Sequence, residues 1–472
     1  MNADTRTAHV VVIGGGISGL AAAHRLAGGG ARVTVLEGSG RVGGKLRTGE
    51  IEGVRIDLGA ESMLARRPEA VALAREAGLG TALQPPATSG AALWNRGALT
   101  PMPTGHVMGV PAGPAGLGGV LSDEGLRRIG RDAELPPAEV GEDIALGAYV
   151  ADRMGREVVD RLVEPLLGGV YAGDVYRTSM RAAVPALYEA ARGHATLGAA
   201  VRSLQQRGTP ASGPVFMGLD GGIGTLPPAV AGAVRAQGGE VLLHRPALEL
   251  RRTVDGWLIR TGGPDGGEIE ADAVVLAVPA WAASALLAGE APAASAELAA
   301  VEYASMSLVT LAFRRTELDL PDGTGFLVPP VDGHAIKAAT FSSRKWAWSD
   351  ADPDLVVLRT SLGRYGDEEH LHLEDTDLVE LSLRDLGEAV GLTAKPVASD
   401  VTRWIGGLPQ YPVGHLARVA RVREAVAALP ALRICGAAYD GVGIPACVAS
   451  AQQAAKEITA TLASGTAGGT GE

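Results

Sequence analysis

The feature that most constrains this chain is a run of glycines between a short apolar segment and a helical one. His9–Ile13 reads HVVVI, a β-branched run typical of a strand buried on both faces, and GGGISG follows at residues 14–19. These glycines fill the first, third and sixth positions of G-x-G-x-x-G. Gly14 allows the tight turn, Gly16 lets a pyrophosphate approach the backbone, and Gly19 lets the helix pack close to the strand. The helix N-terminus offers amide donors to phosphates. The segment therefore predicts a Rossmann-type dinucleotide-binding unit.

The acidic residue after the next predicted strand narrows the choice of dinucleotide. Arg32–Leu36 reads as a strand and ends at Glu37, whose carboxylate can accept hydrogen bonds from both ribose hydroxyls. A carboxylate at this position disfavours a 2′-phosphate, because two negative groups would meet without compensation. NADP is therefore not expected.

The residues that follow Glu37 favour a flavin. Residues 38–45 read GSGRVGGK and resemble the two-dinucleotide-binding-domain flavoproteins, whose fingerprint adds R-x-G-G-[KR] after the ribose acid. Gly43 and Gly44 allow a second backbone approach to the diphosphate, and Arg41 and Lys45 can balance its charge. FAD is the expected cofactor.

The composition excludes several classes of protein. The 472 residues carry 42 Lys plus Arg against 53 Asp plus Glu, a net charge of −11 that argues against a nucleic-acid partner. The 46% hydrophobic content is enough for a sizeable interior. Cys435 and Cys447 cannot form a disulfide framework or a Cys/His site, so no metal and a reducing, cytoplasmic location are expected. Neither a secretory signal nor a transmembrane segment is predicted, while peripheral membrane contact stays open.

The order of predicted elements indicates a discontinuous α/β fold. Residues 1–85, 210–295 and 425–465 read as parts of one Rossmann-type FAD-binding domain, including a β-meander within 240–277. Residues 86–209 are predicted to be a helical insertion, and residues 296–424 a mixed sheet with a helix near 376–390. The two insertions together should form an α+β substrate domain. Residues 464–472 are predicted to be a disordered tail.

No second strand followed by G-x-G-x-x-G is found in the sequence. The nearest candidate, GGIGTLP at residues 221–227, matches only part of the spacing, and Pro227 better marks a helix start. A flavoprotein without a separate nicotinamide site takes electrons from an organic substrate and passes them to oxygen or another acceptor. The sequence thus favours an oxidase or dehydrogenase over a reductase.

Five interior stretches carry a more specific resemblance. They read LTPMPTGHVMGVP (99–111), LVEPLLGGVYAGD (162–174), GFLVPP with IKAATFSSRKW (325–346), RWIGGLPQYPVGH (403–415) and GAAYDGVGIPACVASAQQAA (436–455). Together they resemble the protoporphyrinogen oxidase family, and most of all its bacterial, oxygen-dependent coproporphyrinogen III oxidase branch. The resemblance spans about residues 9–460, and the YAGD, PQY-x-VGH and YDGVGIP segments are more restrictive than the terminal flavin fingerprints.

This resemblance implies a non-covalent FAD with the substrate domain roofing its flavin ring. The implied reaction oxidises coproporphyrinogen III to coproporphyrin III in haem biosynthesis, with loss of six hydrogens and reduction of oxygen to peroxide. Flavin N5 can accept hydride from a carbon bridging two pyrroles, so no strong protein base is needed and no catalytic side chain is assigned. The implied partners are an anionic tetrapyrrole, molecular oxygen and, transiently, ferrochelatase.

Other functions are compatible with part of these sequence motifs. Protoporphyrinogen IX is the alternative substrate within the same family. A flavin amine oxidase is the runner-up, although six Trp, eight Tyr and four Phe make an aromatic cage for an amine less expected. A carotenoid desaturase would share the opening fingerprint but not YAGD. Outside the enzymes, the alternative is a flavin-binding partner or chaperone of tetrapyrrole enzymes.

The family pattern places cofactor contacts in distant parts of the sequence. They are expected at Gly14, Gly15, Gly16, Ile17, Ser18, Gly19, Glu37, Gly38, Arg41, Lys45, Gly59, Ala60, Glu61, Ser62, Ala247, Trp404, Gly436, Gly443, Ile444 and Pro445. Glycines before the last helix again offer amides to an electron-rich part of the cofactor. Ala60 departs from the family, where proline is usual, and a looser turn is expected there.

The expected substrate carries four propionates, so its cavity should contain scattered cations. The candidates are Arg66, Arg67, Lys337 and Arg344. For each of them, an ordinary solvated cation is the more frequent role.

Several other residues are interpreted as structural. His106, His194 and His415 lack the spacing of metal ligands. Met306 and Tyr171 are candidates for lining an apolar cavity, but core packing is the commoner role for such side chains. Cys435 is interpreted as a small buried hydrophobe.

Overall fold

The chain forms two principal sheets, and the glycine motif lies at the carboxyl end of the first strand of one of them. The computed structural model describes residues 7–137, 139–207 and 213–467. The strands are β1 (His9–Ile13), β2 (Arg32–Leu36), β3 (Thr48–Ile51), β4 (Val54–Asp57), β5 (Met63–Leu64), β6 (Leu83–Gln84), β7 (Ala92–Asn95), β8 (Ala98–Pro101), β9 (His106–Val107), β10 (Val110–Pro111), β11 (Phe216–Leu219), β12 (Glu240–Leu242), β13 (Ala247–Arg252), β14 (Trp257–Thr261), β15 (Glu268–Ala271), β16 (Ala273–Leu276), β17 (Tyr303–Arg314), β18 (Gly325–Leu327), β19 (Ile336–Thr340), β20 (Leu355–Leu362), β21 (Ala398–Pro409) and β22 (Leu432–Ile434).

The α-helices lie mainly around the first sheet and in the first insertion. They are α1 (Ile17–Gly28), α2 (Pro68–Glu76), α3 (Asp123–Gly130), α4 (Leu146–Met154), α5 (Arg156–Val158), α6 (Glu164–Tyr171), α7 (Met180–Ala183), α8 (Pro185–Arg192), α9 (Leu197–Arg207), α10 (Leu226–Ala236), α11 (Ala280–Leu287), α12 (Pro292–Ala299), α13 (Ser342–Lys345), α14 (Asp375–Val390), α15 (His415–Ala427) and α16 (Ile444–Ala467). A π-helical turn at Val159–Val163 joins α5 to α6.

The first sheet is parallel and has the order β12-β2-β1-β16-β22. Because side chains alternate along a strand, its two faces bury different residues. Val10 and Val12 pack with α1, α10 and α16, whereas Val11 and Ile13 pack with α11, α12 and α15. This doubly covered parallel sheet confirms the predicted α/β, Rossmann-type fold class.

The second sheet is mixed and has the order β21-β17-β20-β19-β18-β7-β8. The β18–β7 pair is parallel and the other pairs are antiparallel. Its strands come from residues 303–409 and from residues 92–101, so both predicted insertions contribute to it. The remainder of the first insertion, from α3 to α9, packs around its own apolar cluster.

Local signals read from the sequence account for several element boundaries. Ser122 and Ser179 cap α3 and α7, each accepting a hydrogen bond from a backbone N–H of the first turn. The GGIGTLP segment ends in α10, which begins at Leu226 with proline in its first turn, so the prediction of a helix start at Pro227 is confirmed within one residue.

The predicted domain limits remain an expectation, and two features refine them. Helix α15 ends at Ala427 but packs Val419, Val422 and Val426 on the parallel sheet, because its apolar residues recur at helical spacing. Helix α16 continues to Ala467, past the predicted start of the tail, and residues 468–472 of that tail lie outside the described residues.

Among the described helices, none has both the length and the apolar character to cross a bilayer.

Candidate active site

The glycines of the first turn divide into those that the fold requires and one that leaves space. A Cβ on Gly14, whose φ is +111°, would lie 2.6 Å from the Ala277 carbonyl oxygen, and one on Gly19 would lie 1.8 Å from the Gly14 oxygen. A Cβ on Gly16 would meet no atom within 4 Å, although this residue directly precedes α1. The open space therefore lies where the amides of a helix N-terminus favour an anion, and it fits a dinucleotide phosphate.

The second glycine pair lies beside the first turn. Gly43 forms a parallel bridge with Gly16, and the Gly43 N–H donates to the Gly15 carbonyl at 2.8 Å. Gly43 and Gly44 have φ values of +110° and +56°, a region that favours glycine. The two fingerprints, separated by more than twenty residues in sequence, thus form one backbone surface.

The two cations of the second fingerprint have different surroundings. The Arg41 guanidinium donates to the Val42 and Gly44 carbonyls at 3.3 and 2.7 Å, so it closes its own loop. The Lys45 ammonium lies 5.7 Å from the centre of the Tyr303 ring, and burial lowers the pKa of Lys45. These contacts give Arg41 a structural role in closing the loop. That Arg41 also balances the charge of the diphosphate remains a prediction.

Glu37 is fixed at the edge of the glycine turn. One carboxylate oxygen accepts from the Gly15 N–H at 2.9 Å and the other from the Ser39 N–H at 2.8 Å. The Arg245 N–H donates to the Glu37 carbonyl at 2.8 Å, which brings the segment before Ala247 against Gly38. The predicted ribose acid, Gly38 and Ala247 therefore lie together.

The loop at residues 59–62 is held by the mixed sheet. A Cβ on Gly59 would lie 2.2 Å from the Lys45 carbonyl oxygen and 3.4 Å from the Trp404 ring. The Trp404 indole donates to the Leu58 carbonyl at 2.7 Å, and Arg359 donates to the Gly59 carbonyl at 2.9 Å. Trp404 is thus brought to the predicted flavin loop from a strand more than 300 residues away, and Ala60 and Ser62 lie in the same loop.

Glu61 is in this loop, but its side chain is engaged elsewhere. Its carboxylate forms ion pairs with Lys345 and, at 2.9 Å, with Arg359, and all three side chains are largely buried. Burial alone would raise the pKa of Glu61, but the two neighbouring cations hold it at about 2. The structure therefore places this carboxylate in a link between the loop and the mixed sheet.

The last predicted contacts lie in the segment that leads into α16. Gly436 has a φ of +129°, and a Cβ there would approach the Ser18 hydroxyl at 3.7 Å. Ile444 and Pro445 begin the final helix, directly after Gly443. Residues from both ends of the chain are therefore in contact at the start of α1.

Three of the four predicted substrate cations lie at the surface or in local ion pairs. Arg66 is exposed, Arg67 pairs with Glu69 at 2.7 Å, and Arg344 pairs with Asp322 at 3.1 Å. Within the described part of the chain, no hydrogen bond or ion pair joins these three side chains to a predicted cofactor residue. Their assignment to the substrate remains a prediction.

Lys337 differs from the other three candidates because it is buried. Its ammonium donates to the Gly363 carbonyl at 2.8 Å and lies 3.8 Å from the Met306 sulfur. Met306 pairs across β17 and β21 with Trp404, so Lys337 is connected to the predicted flavin loop through two residues, Met306 and Trp404. Burial, with a smaller effect from the nearby Arg364 charge, lowers the pKa of Lys337 to about 7.

Two charged residues that the sequence did not single out belong to the same region: Arg364 lies near Lys337, and Glu164 lies near Arg364. Arg364 is 8% exposed and donates to the Val328 carbonyl at 3.1 Å. Burial raises the pKa of Glu164 to about 7, although Arg364 opposes the rise. Glu164 begins α6 within LVEPLLGG, residues 162–169. A single carboxylate in this otherwise apolar run was the sequence signal that could have identified Glu164. Arg364 thus lies near both Lys337 on β19 and Glu164 on α6, where that helix packs on the mixed sheet.

We expect Lys337→Met to change how stability depends on pH. The ordinary lysine pKa of 10.5 exceeds the folded value of about 7. The unfolded chain therefore binds more protons between these values, and wild-type stability rises with pH across that window. The stability difference between wild type and Lys337→Met should change by about 3 kcal/mol between about pH 7 and about pH 9.5.

Denaturant unfolding at several pH values measures this difference. Lys395→Met is the matched control, since Lys395 is exposed and its loss should leave the pH dependence unchanged. If the unfolding free energies of wild type and Lys337→Met depended on pH in the same way, Lys337 could not be a buried amine with a lowered pKa.

The isolated histidines occupy local structural positions. His106 accepts from the Gly109 N–H at 3.1 Å, and the His194 ring contacts the Ala190 carbonyl at 2.8 Å. His415 stacks on Tyr411 with ring centres 4.0 Å apart, and burial lowers its pKa to about 4. Cys435 is fully buried, which raises the pKa of its thiol.

One exposed group of side chains has the composition of a cation site. Ligand atoms of Asp367, Glu369 and His370 lie within 4.8 Å of one another. Such acidic groups are common on surfaces without a metal, and nothing further at this position points to an ion.

Comparisons with known proteins agree over nearly the whole chain. Residues 17–459 match the family described as flavin containing amine oxidoreductase. The coproporphyrinogen III oxidase of Mycobacterium bovis is 38% identical over 96% of this chain and 97% of its own length. The Bacillus subtilis protein of the same name is 32% identical over 96% of this chain and 98% of its own. A crystal structure of a putative protoporphyrinogen oxidase from Exiguobacterium superposes with a TM-score of 0.84 at 33% identity, covering 96% and 98% of the two chains.

Proposed function

This chain belongs to the flavin-containing amine oxidoreductase family, and from that membership we propose that it is an oxygen-dependent coproporphyrinogen III oxidase. The observation that carries the proposal is the similarity to relatives of that name along the full length of both chains. The reaction is oxidation of coproporphyrinogen III to coproporphyrin III in haem biosynthesis. The convergence of the glycine turn, the second fingerprint and the start of α16 supports it, because a flavin oxidase needs such a backbone surface.

We propose that FAD is held without a covalent bond. Gly16, Gly43 and the α1 amides would hold the diphosphate, and Glu37 the adenosine ribose. Trp404 and residues 443–445 would lie along the isoalloxazine. When bound, the isoalloxazine supplies a hydride acceptor that molecular oxygen can regenerate.

The chain's own residues orient the substrate and exclude water. Each of the three two-electron steps removes one hydride and one proton from the tetrapyrrole, and each extends its conjugation. The chemistry therefore needs positioning more than a strong base, and no catalytic side chain is proposed. Lys337 and Arg364 are proposed as the buried cations that would attract the propionates, and Arg66, Arg67 and Arg344 as further contacts nearer the surface.

The direct test supplies coproporphyrinogen III to the FAD-loaded protein in air. We expect porphyrin fluorescence to appear together with about three peroxide molecules per porphyrin, since six hydrogens leave in pairs. Protoporphyrinogen IX and a set of amines are the parallel substrates. Turnover of amines without porphyrin formation would overturn the proposal, and faster turnover of protoporphyrinogen IX would reassign the substrate within the family.

A second experiment separates an enzyme from a flavin-binding partner or chaperone. Coproporphyrinogen III added without oxygen should bleach the flavin absorbance, because the electrons then remain on the cofactor. A flavin spectrum that stays oxidised would indicate binding alone.

The same proposal includes an electron acceptor, a partner protein and a location in the cell. Molecular oxygen is the proposed acceptor, and ferrochelatase, which consumes the porphyrin, is a proposed transient partner. A cytoplasmic location, with peripheral contact to the membrane, is proposed from the composition and from the resemblance.

A further inference from the structure

A cavity of about 380 Å³ lies outside the residues predicted to hold the cofactor. It is formed by α7 and the start of α8, by α15, and by the loop that follows β22. Its volume falls within the range of small-molecule sites in proteins, about 300 to 1,000 Å³. It therefore has room for a compact organic ligand.

The loop that carries Tyr439 and Asp440 is held by Tyr411. The Tyr411 hydroxyl donates to the Ala437 carbonyl and accepts from the Gly441 N–H at 2.8 Å, which fixes both ends of the loop. Tyr411, Tyr439 and Asp440 line the cavity, whereas none of the predicted cofactor contacts does. The cavity is thus a site apart from the residues predicted to hold the cofactor.

One buried polar group in the cavity wall has no partner among the described residues. Tyr439 is 1% exposed and lines the cavity, and its hydroxyl makes no hydrogen bond. A buried hydroxyl left unpaired costs about 1–3 kcal/mol. A ligand that accepts a hydrogen bond from Tyr439 would remove that cost.

The charged groups of the cavity favour an anion. Arg423 donates to Asp440 at 2.6 Å, and Asp440 also accepts from the Ser450 hydroxyl at 2.6 Å. Arg181 makes one long hydrogen bond, 3.3 Å to the Glu142 carbonyl, so most of its donors remain available. Two guanidinium groups and one carboxylate leave a net charge of +1, while Val419 and Pro185 add apolar surface.

We propose that this cavity binds a small organic monocarboxylate with an apolar body. The carboxylate accepts from Arg181 and from the Tyr439 hydroxyl, and the apolar part lies against α15. Guanidinium–carboxylate hydrogen bonds are the strong, directional contacts that such a donor set provides. This site is independent of the proposed oxidase reaction.

The test titrates 3-phenylpropionate into the FAD-loaded protein and measures the heat of binding. The neutral alcohol 3-phenylpropanol has the same ring and chain length but no charge. We expect the acid to bind at least about tenfold more tightly than the alcohol, since the charged contacts are lost in the alcohol. Arg181→Gln should weaken binding of the acid by about tenfold, and Tyr439→Phe by a smaller factor of about five.

A variant outside the cavity serves as the matched control. Arg192→Gln, on the same helix pair but outside the cavity, should bind the acid like wild type. Tyr439→Phe removes only an unpaired hydroxyl, so it should fold normally. Equal binding of acid and alcohol, wild-type affinity in both cavity variants, or displacement of the acid by coproporphyrin III would each overturn the site.

Discussion

Gly16→Val should give a folded protein that no longer retains FAD. The position has extended backbone, with φ −71° and ψ 175°, which any residue can adopt, and a Cβ there meets no protein atom within 4 Å. A valine side chain would instead fill the space in front of the α1 amides, where the diphosphate is expected. Loss of that contact should weaken FAD binding by at least about a hundredfold, or about 3 kcal/mol.

Flavin absorbance of the purified variant measures whether FAD is retained. Thermal unfolding of its cofactor-free form measures whether the variant is folded. Gly232→Val is a control, because Gly232 is exposed on α10 and likewise has no atom near its Cβ direction. That variant should retain full flavin absorbance. Gly19→Val should behave differently from both, since its Cβ would lie 1.8 Å from the Gly14 oxygen and the turn itself would be disrupted. Full flavin absorbance in Gly16→Val would show that the phosphates lie elsewhere.

The structure around these glycines shows which features could be predicted from the sequence. The spacing of GGGISG predicts the turn because the geometry of strand, turn and helix is local and repeats in every fold of this kind. The fold class followed from the same motif. The sequence did not predict that Arg359 would hold the Gly59 loop, since a lone cation on a strand carries no signal of its distant partner.

The candidate substrate cations were harder to predict for the same reason. Lys337 and Arg344 lie seven residues apart and look alike in sequence, yet one is buried and the other pairs with Asp322 near the surface. Burial depends on which elements cover the faces of the mixed sheet, and β19, which carries Lys337, is contacted by α6 and α14. The ion pairs of Glu61 could not be predicted either, because its two cationic partners lie far away in sequence, on α13 and β20.

Glu61→Gln should destabilise the fold strongly, because it leaves Lys345 and Arg359 charged and largely buried without the carboxylate that they share. Removing one member of a buried ion pair typically costs about 3–5 kcal/mol. Glu249→Gln is the matched control: Glu249 pairs with Arg260 at the surface, about half of each side chain is exposed, and the same change should cost at most about 1 kcal/mol. Adding Lys345→Met to Glu61→Gln should recover part of the loss, since one uncompensated cation is then removed.

The acid limb of the stability profile tests the same group independently. The folded pKa of Glu61 is about 2, below its ordinary value of 4.5, so its contribution is complete above about pH 4.5 and is lost as pH falls toward 2. Glu61→Gln should therefore flatten the decline in unfolding free energy across this window, whereas Glu249→Gln should leave the decline unchanged. The flavin should report the change as well, because the Gly59 loop loses one of its links to the mixed sheet, and we expect FAD affinity to fall by about tenfold even where the variant is fully folded. Unchanged stability together with unchanged FAD affinity would mean that this ion pair does not position the loop.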